Sequence, residues 1–154
     1  VLFQVEAEPV SIGPRRLTDG EFRFCYERVP CLCIDFVIVK DGGILFAKRE
    51  IEPFKGFWTL PGGILRRREP FDDAIARLLR VELGVTCVNK KLFDCIHHIN
   101  DGDFRSSVSL AFLIKYEGEL QGSDQGREFR YLSDFSDPKI QPYQAKFFRE
   151  NPLV

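Results

Sequence analysis

No run in this 154-residue chain approaches the roughly 20 consecutive apolar residues that span a bilayer. No membrane-spanning helix is therefore expected. The start shows no basic-then-apolar pattern of the secretory kind, and a cytoplasmic protein is the reading that follows. An excess of one charge is lacking too. Lys and Arg number 22 against 23 Asp and Glu, a formal net charge of −1 with the signs interspersed. That balance speaks against a nucleic-acid surface and against a polybasic membrane anchor. Five cysteines are present, but no Cys-x-x-Cys pair, and the odd count offers no disulfide framework. Buried, reduced thiols are expected, and a zinc site is not. Histidine is scarce: His97 and His98 are the only two, and they are adjacent. On a strand they point to opposite faces, so at most one enters any pocket. No internal repeat or low-complexity tract is present.

What remains is an ordinary globular composition, 44% apolar and 29% charged, in a length suited to one domain with a real core. Val1-Leu2-Phe3-Gln4 reads as the remnant of a protease site used to remove expression tags, and the missing starting methionine agrees with that. Residues 5–154 are then a single domain, with residues 5–20 as an arm or loop rich in Pro, Gly and charge. Strands are expected from Cys31 to Val39, Ile44 to Lys48, Phe57 to Leu60, Lys91 to Ile99, Val108 to Tyr116 and Arg127 to Leu132. Asp41-Gly42-Gly43 supplies the turn of a hairpin, and Gly62-Gly63 a second turn. One helix starts at Pro70, gains from Asp72 and Asp73 at the positive end of its dipole, and is closed by Gly84. Phe71, Ala74, Ile75, Leu78 and Leu79 form its apolar stripe. A second helix runs from about Gln141 to Glu150. The pattern is an α/β fold, a mixed central sheet between helices in an α/β/α sandwich.

The most informative stretch runs from Gly62 to Val85: GGILRRREPFDDAIARLLRVELGV. Gly63, Glu69, Arg77, Glu82 and Gly84 stand at one fixed register. This register resembles the signature of the Nudix hydrolases, metal-assisted enzymes that cleave nucleoside diphosphates linked to another group. Two acids of that signature are absent, their positions held by Leu78 and Val81. Glu82 is the expected side-chain ligand for Mg2+, with Mn2+ as an acceptable substitute. Near a helix C-terminus a carboxylate is disfavoured by the dipole, which a cation relieves. The carbonyl of Gly62 is the natural second oxygen, since glycine lets backbone approach a ligand closely. The resemblance implies that Glu69 and Arg77 brace the loop against the helix. Five residues separate Arg77 from Glu82, so no direct surface pair between those two is expected.

A further resemblance covers PCLCIDFVIVKDGGILFAKREIEPFKGFWTLPGG, residues 30–63, and ARLLRVELGV, residues 76–85. Together these look like the GDP-mannose mannosyl hydrolases, a Nudix branch that also lacks the full set of acids. That branch substitutes at the anomeric carbon of the sugar, where one metal and an arginine carry the charge of the departing diphosphate. The resemblance makes Asp35 an acid near the sugar, Arg49 the group that steadies the diphosphate, and Gln125 a metal ligand. Asp35 also reads as a satisfied structural acid within an apolar strand, and Arg49 as a strand-end surface charge. Phe54, Phe57 and Trp58 offer faces for a base or sugar, with Trp58 the core candidate and Phe54 the more open one. Three positions depart from the branch: Gly126 replaces its general-base histidine, Ile64 an arginine and Ser107 a tyrosine. Glu128, Asp124 and His98 are candidate replacements for the base. Family resemblance also allows a homodimer.

Three functions follow. The first is Mg2+-dependent hydrolysis of a nucleoside diphosphate sugar at the anomeric carbon. The second is a pyrophosphatase attacking phosphorus in a substrate such as ADP-ribose or a dinucleotide. The third is a catalytically silent domain that binds a nucleotide or a protein.

Overall fold

The computed structural model describes residues 17–99 and 104–152. The tag remnant and most of the expected arm lie outside them. The chain forms α1 (Asp19–Tyr26), β1 (Cys31–Val37), β2 (Val39–Lys40), β3 (Gly43–Arg49), β4 (Trp58–Thr59) and β5 (Gly62–Ile64). It continues with α2 (Phe71–Leu78), β6 (Thr86–His98), β7 (Ser107–Glu117), β8 (Gly126–Leu132) and α3 (Pro142–Glu150). The strands divide into two sheets. One is mixed, ordered β5-β1-β7-β6, with β1 parallel to β7 and antiparallel to β5. The other is antiparallel, β2-β3-β4 with β8 on the free side of β3.

Alternation along the central strands places a helix on each face. Ile34 and Phe36 of β1, Leu45 of β3 and Phe112 of β7 pack with Ile75, Leu78 and Leu79 against α2. Their neighbours Val37, Phe46 and Ala111 pack with Ala145 and Phe148 against α3. This two-residue period is the physical basis of the three-layer sandwich. It also sends Asp35 toward α3.

Local chemistry explains most boundaries. In the β2–β3 hairpin Asp41 (φ 51°) and Gly42 (φ 77°) both take the left-handed conformation that a two-residue turn of this twist requires. Pro70 precedes the first residue of α2, and Asp72 and Asp73 fill its first turn. After Leu78 the helix widens into a π turn, Leu79–Leu83, and Gly84 closes it at φ 69°.

Four expectations are corrected. Gly62 and Gly63 do not make a turn; they open β5 and pair with Asp35 and Ile34. Asp19 and Gly20 belong to α1 rather than a loop, because Thr18 and Glu21 form a reciprocal capping box. Phe71, expected in the apolar stripe, is 45% exposed at the rim of α2. Of the five free cysteines only Cys31 is buried, and Cys95 is exposed on β6, an edge strand. No helix among the described residues is long and apolar enough to cross a membrane.

Candidate active site

The C-terminal half of the motif, the end of β3 and the β8 hairpin meet at one cleft, lined by Arg49, Gly62, Glu82, Gln125 and Gly126 among others. The π turn sets this up. It leaves Val81 55% exposed while turning Glu82 inward, where it is 8% exposed. Both carboxylate oxygens of Glu82 accept hydrogen bonds: Ser123 Oγ donates to Oε2 at 2.8 Å and Gln125 Nε2 to Oε1 at 2.9 Å. The backbone N–H of Gln125 also donates to Ser123 Oγ at 3.1 Å, so the loop is organised around this acid. Burial raises the pKa of Glu82. The Ser123 bond and the positive charges of Arg49 and Arg77 work in the opposite direction.

Arg77 acts on Glu82 through its charge alone and makes no bond to it, as the five-residue spacing leads one to expect. The direct partner of Arg77 is Glu69, bound through Nε at 2.6 Å and Nη2 at 2.7 Å. Nη2 also donates to the Ile64 carbonyl at 3.2 Å, and the Arg66 N–H donates to Glu69. The loop from Ile64 to Glu69 is therefore pinned to α2. Arg77 chiefly, with the Arg66 N–H, holds the Glu69 pKa below the ordinary carboxylate range.

Gly62 is seated by its absent side chain. A Cβ there would collide with the Ile34 carbonyl and fall 2.8 Å from Asp35 Oδ1. The Phe36 N–H donates to the Pro61 carbonyl at 2.8 Å, so Asp35 and Gly62 face each other at the next, non-hydrogen-bonded position. Ladder geometry then directs the Gly62 N–H and C=O away from β1, toward the open side of β5. Gly63 differs: an added Cβ would meet only the Leu78 Cδ2 methyl, at 2.7 Å. Leu78, at one of the missing-acid positions, packs on Gly63 instead of binding anything polar. Gly62→Ala is accordingly expected to lower the melting temperature clearly more than Gly63→Ala, because backbone cannot yield as a methyl can. Thermal unfolding of the two variants checks this, and equal losses would contradict the seating.

Arg49 is half-buried. Its Nε donates to the Pro53 carbonyl at 2.6 Å, and its N–H and carbonyl bond Phe57 and Gly56. The loop between β3 and β4 thus folds back over it. Phe54, in that loop at φ 65°, is half-buried and meets Phe57 edge-on at 5.6 Å. Neither Phe54 nor Asp35 lines the cleft. Asp35 is 7% exposed, and its Oδ2 accepts from Gln144 Nε2 at 3.4 Å. Trp58 is buried in the core against α3.

None of the candidate replacement bases lines the cleft. His98 is buried beside α3, its Nδ1 3.1 Å from Gln141 Nε2, while His97 is exposed on the other face. Glu128 pairs with Lys48 and Arg130, and Lys48 holds its pKa down. Asp124 is exposed next to Gln125 and pairs with Arg127. At Gly126 a Cβ would lie 3.0 Å from the Lys48 carbonyl oxygen and 3.2 Å from Ala47 Cβ, so a larger side chain there requires the strands to shift. Sequence reasoning missed Ser123 and Gln144. Ser123 stands two residues before Gln125 in the same loop; Gln144 gave no signal, being one polar residue in an amphipathic helix.

A larger hollow of about 450 Å³ lies between the end of α1 and the start of β7, with Tyr26, Arg28, Phe104 and Arg105 in its walls. It contains no residue of the motif.

A family profile for the NUDIX domain matches residues 32–150. The chain belongs to the Nudix family. It is 33% identical over 113 residues to an ADP-ribose pyrophosphatase of Methanocaldococcus jannaschii, covering 72% of this chain and 66% of that protein. It is 35% identical over 86 residues to the low-salt glycan biosynthesis protein Agl8 of Haloferax volcanii, covering 56% of this chain and 55% of that protein. The Nudix chain thus spans just under two thirds of the first relative (66%) and about half of the second (55%). In structure it is similar to a MutT NUDIX hydrolase from Burkholderia pseudomallei, with a TM-score of 0.72 and 26% identity over 82% of this chain and all of that one.

Proposed function

We propose that this Nudix protein hydrolyses a nucleoside diphosphate-linked small molecule, with water attacking phosphorus. The observation that carries the proposal is the buried Glu82 carboxylate facing the Gly62 strip, with Arg49 and Gln125 in the same cleft. Similarity to a protein named ADP-ribose pyrophosphatase favours a substrate of that class over a nucleoside diphosphate sugar such as GDP-mannose.

The donor set is all oxygen: a Glu82 carboxylate, the Gly62 carbonyl and the Oε1 of Gln125, whose Nε2 is already spent on Glu82. No group of three His, Cys, Asp or Glu suited to a metal occurs among the described residues. Such a set fits a hard cation that keeps waters and substrate oxygens in its shell, as Mg2+ does, with Mn2+ in its place. When bound there, the ion supplies neutralisation and polarisation of the diphosphate. The protein's own groups do the rest. Arg49, fixed through Nε and its backbone, presents its guanidinium charge to a phosphoryl oxygen. Arg77 and Glu69 keep the loop at the required distance from Glu82. The burial of Glu82 within the cleft strengthens these charge interactions.

A second reading keeps the same site but moves the attack to the anomeric carbon of a nucleoside diphosphate sugar. The single motif carboxylate favours it, because a departing diphosphate needs fewer cation ligands than a bridged attack at phosphorus. Incubation with ADP-ribose, dinucleotides and nucleoside diphosphate sugars plus Mg2+ separates the two. Nucleoside monophosphate is the expected product. Nucleoside diphosphate with free sugar would support attack at carbon, and stabilisation by ligand without turnover would indicate a binding domain.

A further inference from the structure

The N-terminal turn of α3 is tied to the strip that carries Gly62. The Trp58 N–H donates to the Lys139 carbonyl at 2.8 Å, and the Gln141 N–H donates to the Trp58 carbonyl at 2.9 Å. Gln141 also caps the helix, its Oε1 accepting from the Gln144 N–H at 2.9 Å. One turn on, Gln144 is 4% exposed and uses both ends of its amide. Its Oε1 accepts the Leu60 N–H at 2.8 Å, and its Nε2 reaches Asp35 Oδ2 at 3.4 Å. The other Asp35 oxygen faces Gly62. A single buried amide therefore holds Leu60, two residues before Gly62, directly, and braces Asp35, the residue opposite Gly62 in the β1–β5 ladder.

We infer that Gln144 is a positioning residue for the Glu82 site, fixing the Gly62 carbonyl at the height at which it shares a cation with Glu82. The inference rests on the reading of Gly62 and Glu82 as cation ligands. It also gives the buried Asp35 a use without contact with substrate: its carboxylate is the counterpart that sets the direction of the Gln144 amide. A carboxylate in an apolar strand requires such a donor. Only one amide orientation serves both partners, since Leu60 offers a donor and Asp35 an acceptor.

The test is Mn2+ binding followed by electron paramagnetic resonance without substrate, on the full chain and on Glu82→Gln, Gln144→Glu, Gln144→Met and the double variant Asp35→Asn/Gln144→Glu. Folding of each is followed by circular dichroism. Gln144→Glu keeps an acceptor for Leu60 but sets two carboxylates against each other. Affinity is expected to fall about 10- to 100-fold, the range for removing an outer support of a metal ligand. Gln144→Met, similar in length and apolar, is expected to fall equally and serves if the charged variant does not fold. The double variant reverses donor and acceptor and is expected to recover affinity to within roughly threefold of the parent, a recovery that general loosening of α3 does not produce. Folded Gln144 variants that bind Mn2+ like the parent, while Glu82→Gln does not bind, would overturn the inference and leave the site reading intact. Unchanged binding in Glu82→Gln would overturn the site reading itself.

Discussion

Glu82→Gln is expected to lose hydrolytic activity by on the order of 10³-fold while the protein becomes no less stable. The cation site supplies several kcal/mol of charge stabilisation, and each 1.36 kcal/mol is a factor of ten in rate. Stability should move the other way. The fold raises the Glu82 pKa through burial, so the folded chain holds that proton more tightly than the unfolded chain. Stability associated with this group is therefore present at low pH and lost as pH rises from the ordinary carboxylate value through the raised one. A neutral glutamine removes the buried charge: its amide oxygen accepts from Gln125 Nε2 as Oε1 does now, and its amide N–H donates to Ser123 Oγ, a hydroxyl that can turn from donor to acceptor. Thermal unfolding of the metal-free protein at pH 7 should give an equal or higher midpoint for the variant, and kinetics with Mg2+ should give the loss. A variant that loses activity only in proportion to unfolding would make Glu82 a structural acid. Sites built for chemistry commonly carry this conflict between stability and function.

Arg77→Ala is expected to destabilise the protein by about 2–3 kcal/mol, through a charged partner left in a largely buried position. Both side chains are largely covered, 16% and 13% exposed, and three hydrogen bonds from Arg77 disappear together. At roughly 2–4 °C per kcal/mol for a chain of this size, the midpoint falls by about 5–10 °C. The pH dependence identifies the cause. Arg77 lowers the Glu69 pKa in the fold, so the stabilisation is fully present above the ordinary carboxylate value and disappears as pH falls through the lowered one. Parent and variant should therefore converge as the solution is acidified. A difference independent of pH would mean that packing of the arginine stem, rather than the ion pair, supports the loop.

Legibility in the sequence followed the range of the interactions. The α2 start at Pro70, its closure at Gly84 and the Asp41-Gly42 hairpin are set by neighbouring residues, and each was readable. The alternation in β1 placed Asp35 within an apolar strand, but which helix it faced depended on the assembled sheet. Gly62 and Gly63 looked like a turn because two glycines usually mark one. Here they allow close approach to Asp35 and Leu78, an effect of tertiary packing on backbone that pattern cannot show. Five fixed motif positions pointed to the cleft. They did not reveal the π turn that directs Glu82 inward and Val81 outward, since no single residue specifies that widening. Gln144 lies 84 residues from Leu60 and 109 from Asp35, and nothing local distinguishes it from a solvent-facing glutamine.

The most direct test of the account is hydrolysis, with Mg2+ in ¹⁸O-enriched water, of ADP-ribose and of GDP-mannose, whose diphosphate is joined to the anomeric carbon, followed by mass analysis of the products. Attack at phosphorus predicts one labelled oxygen in a phosphoryl group of the monophosphate products, and the same large loss of this turnover in Glu82→Gln. Turnover of GDP-mannose that puts the label in the sugar hydroxyl and leaves the nucleoside diphosphate unlabelled, with ADP-ribose left uncleaved, would contradict the proposed site of attack.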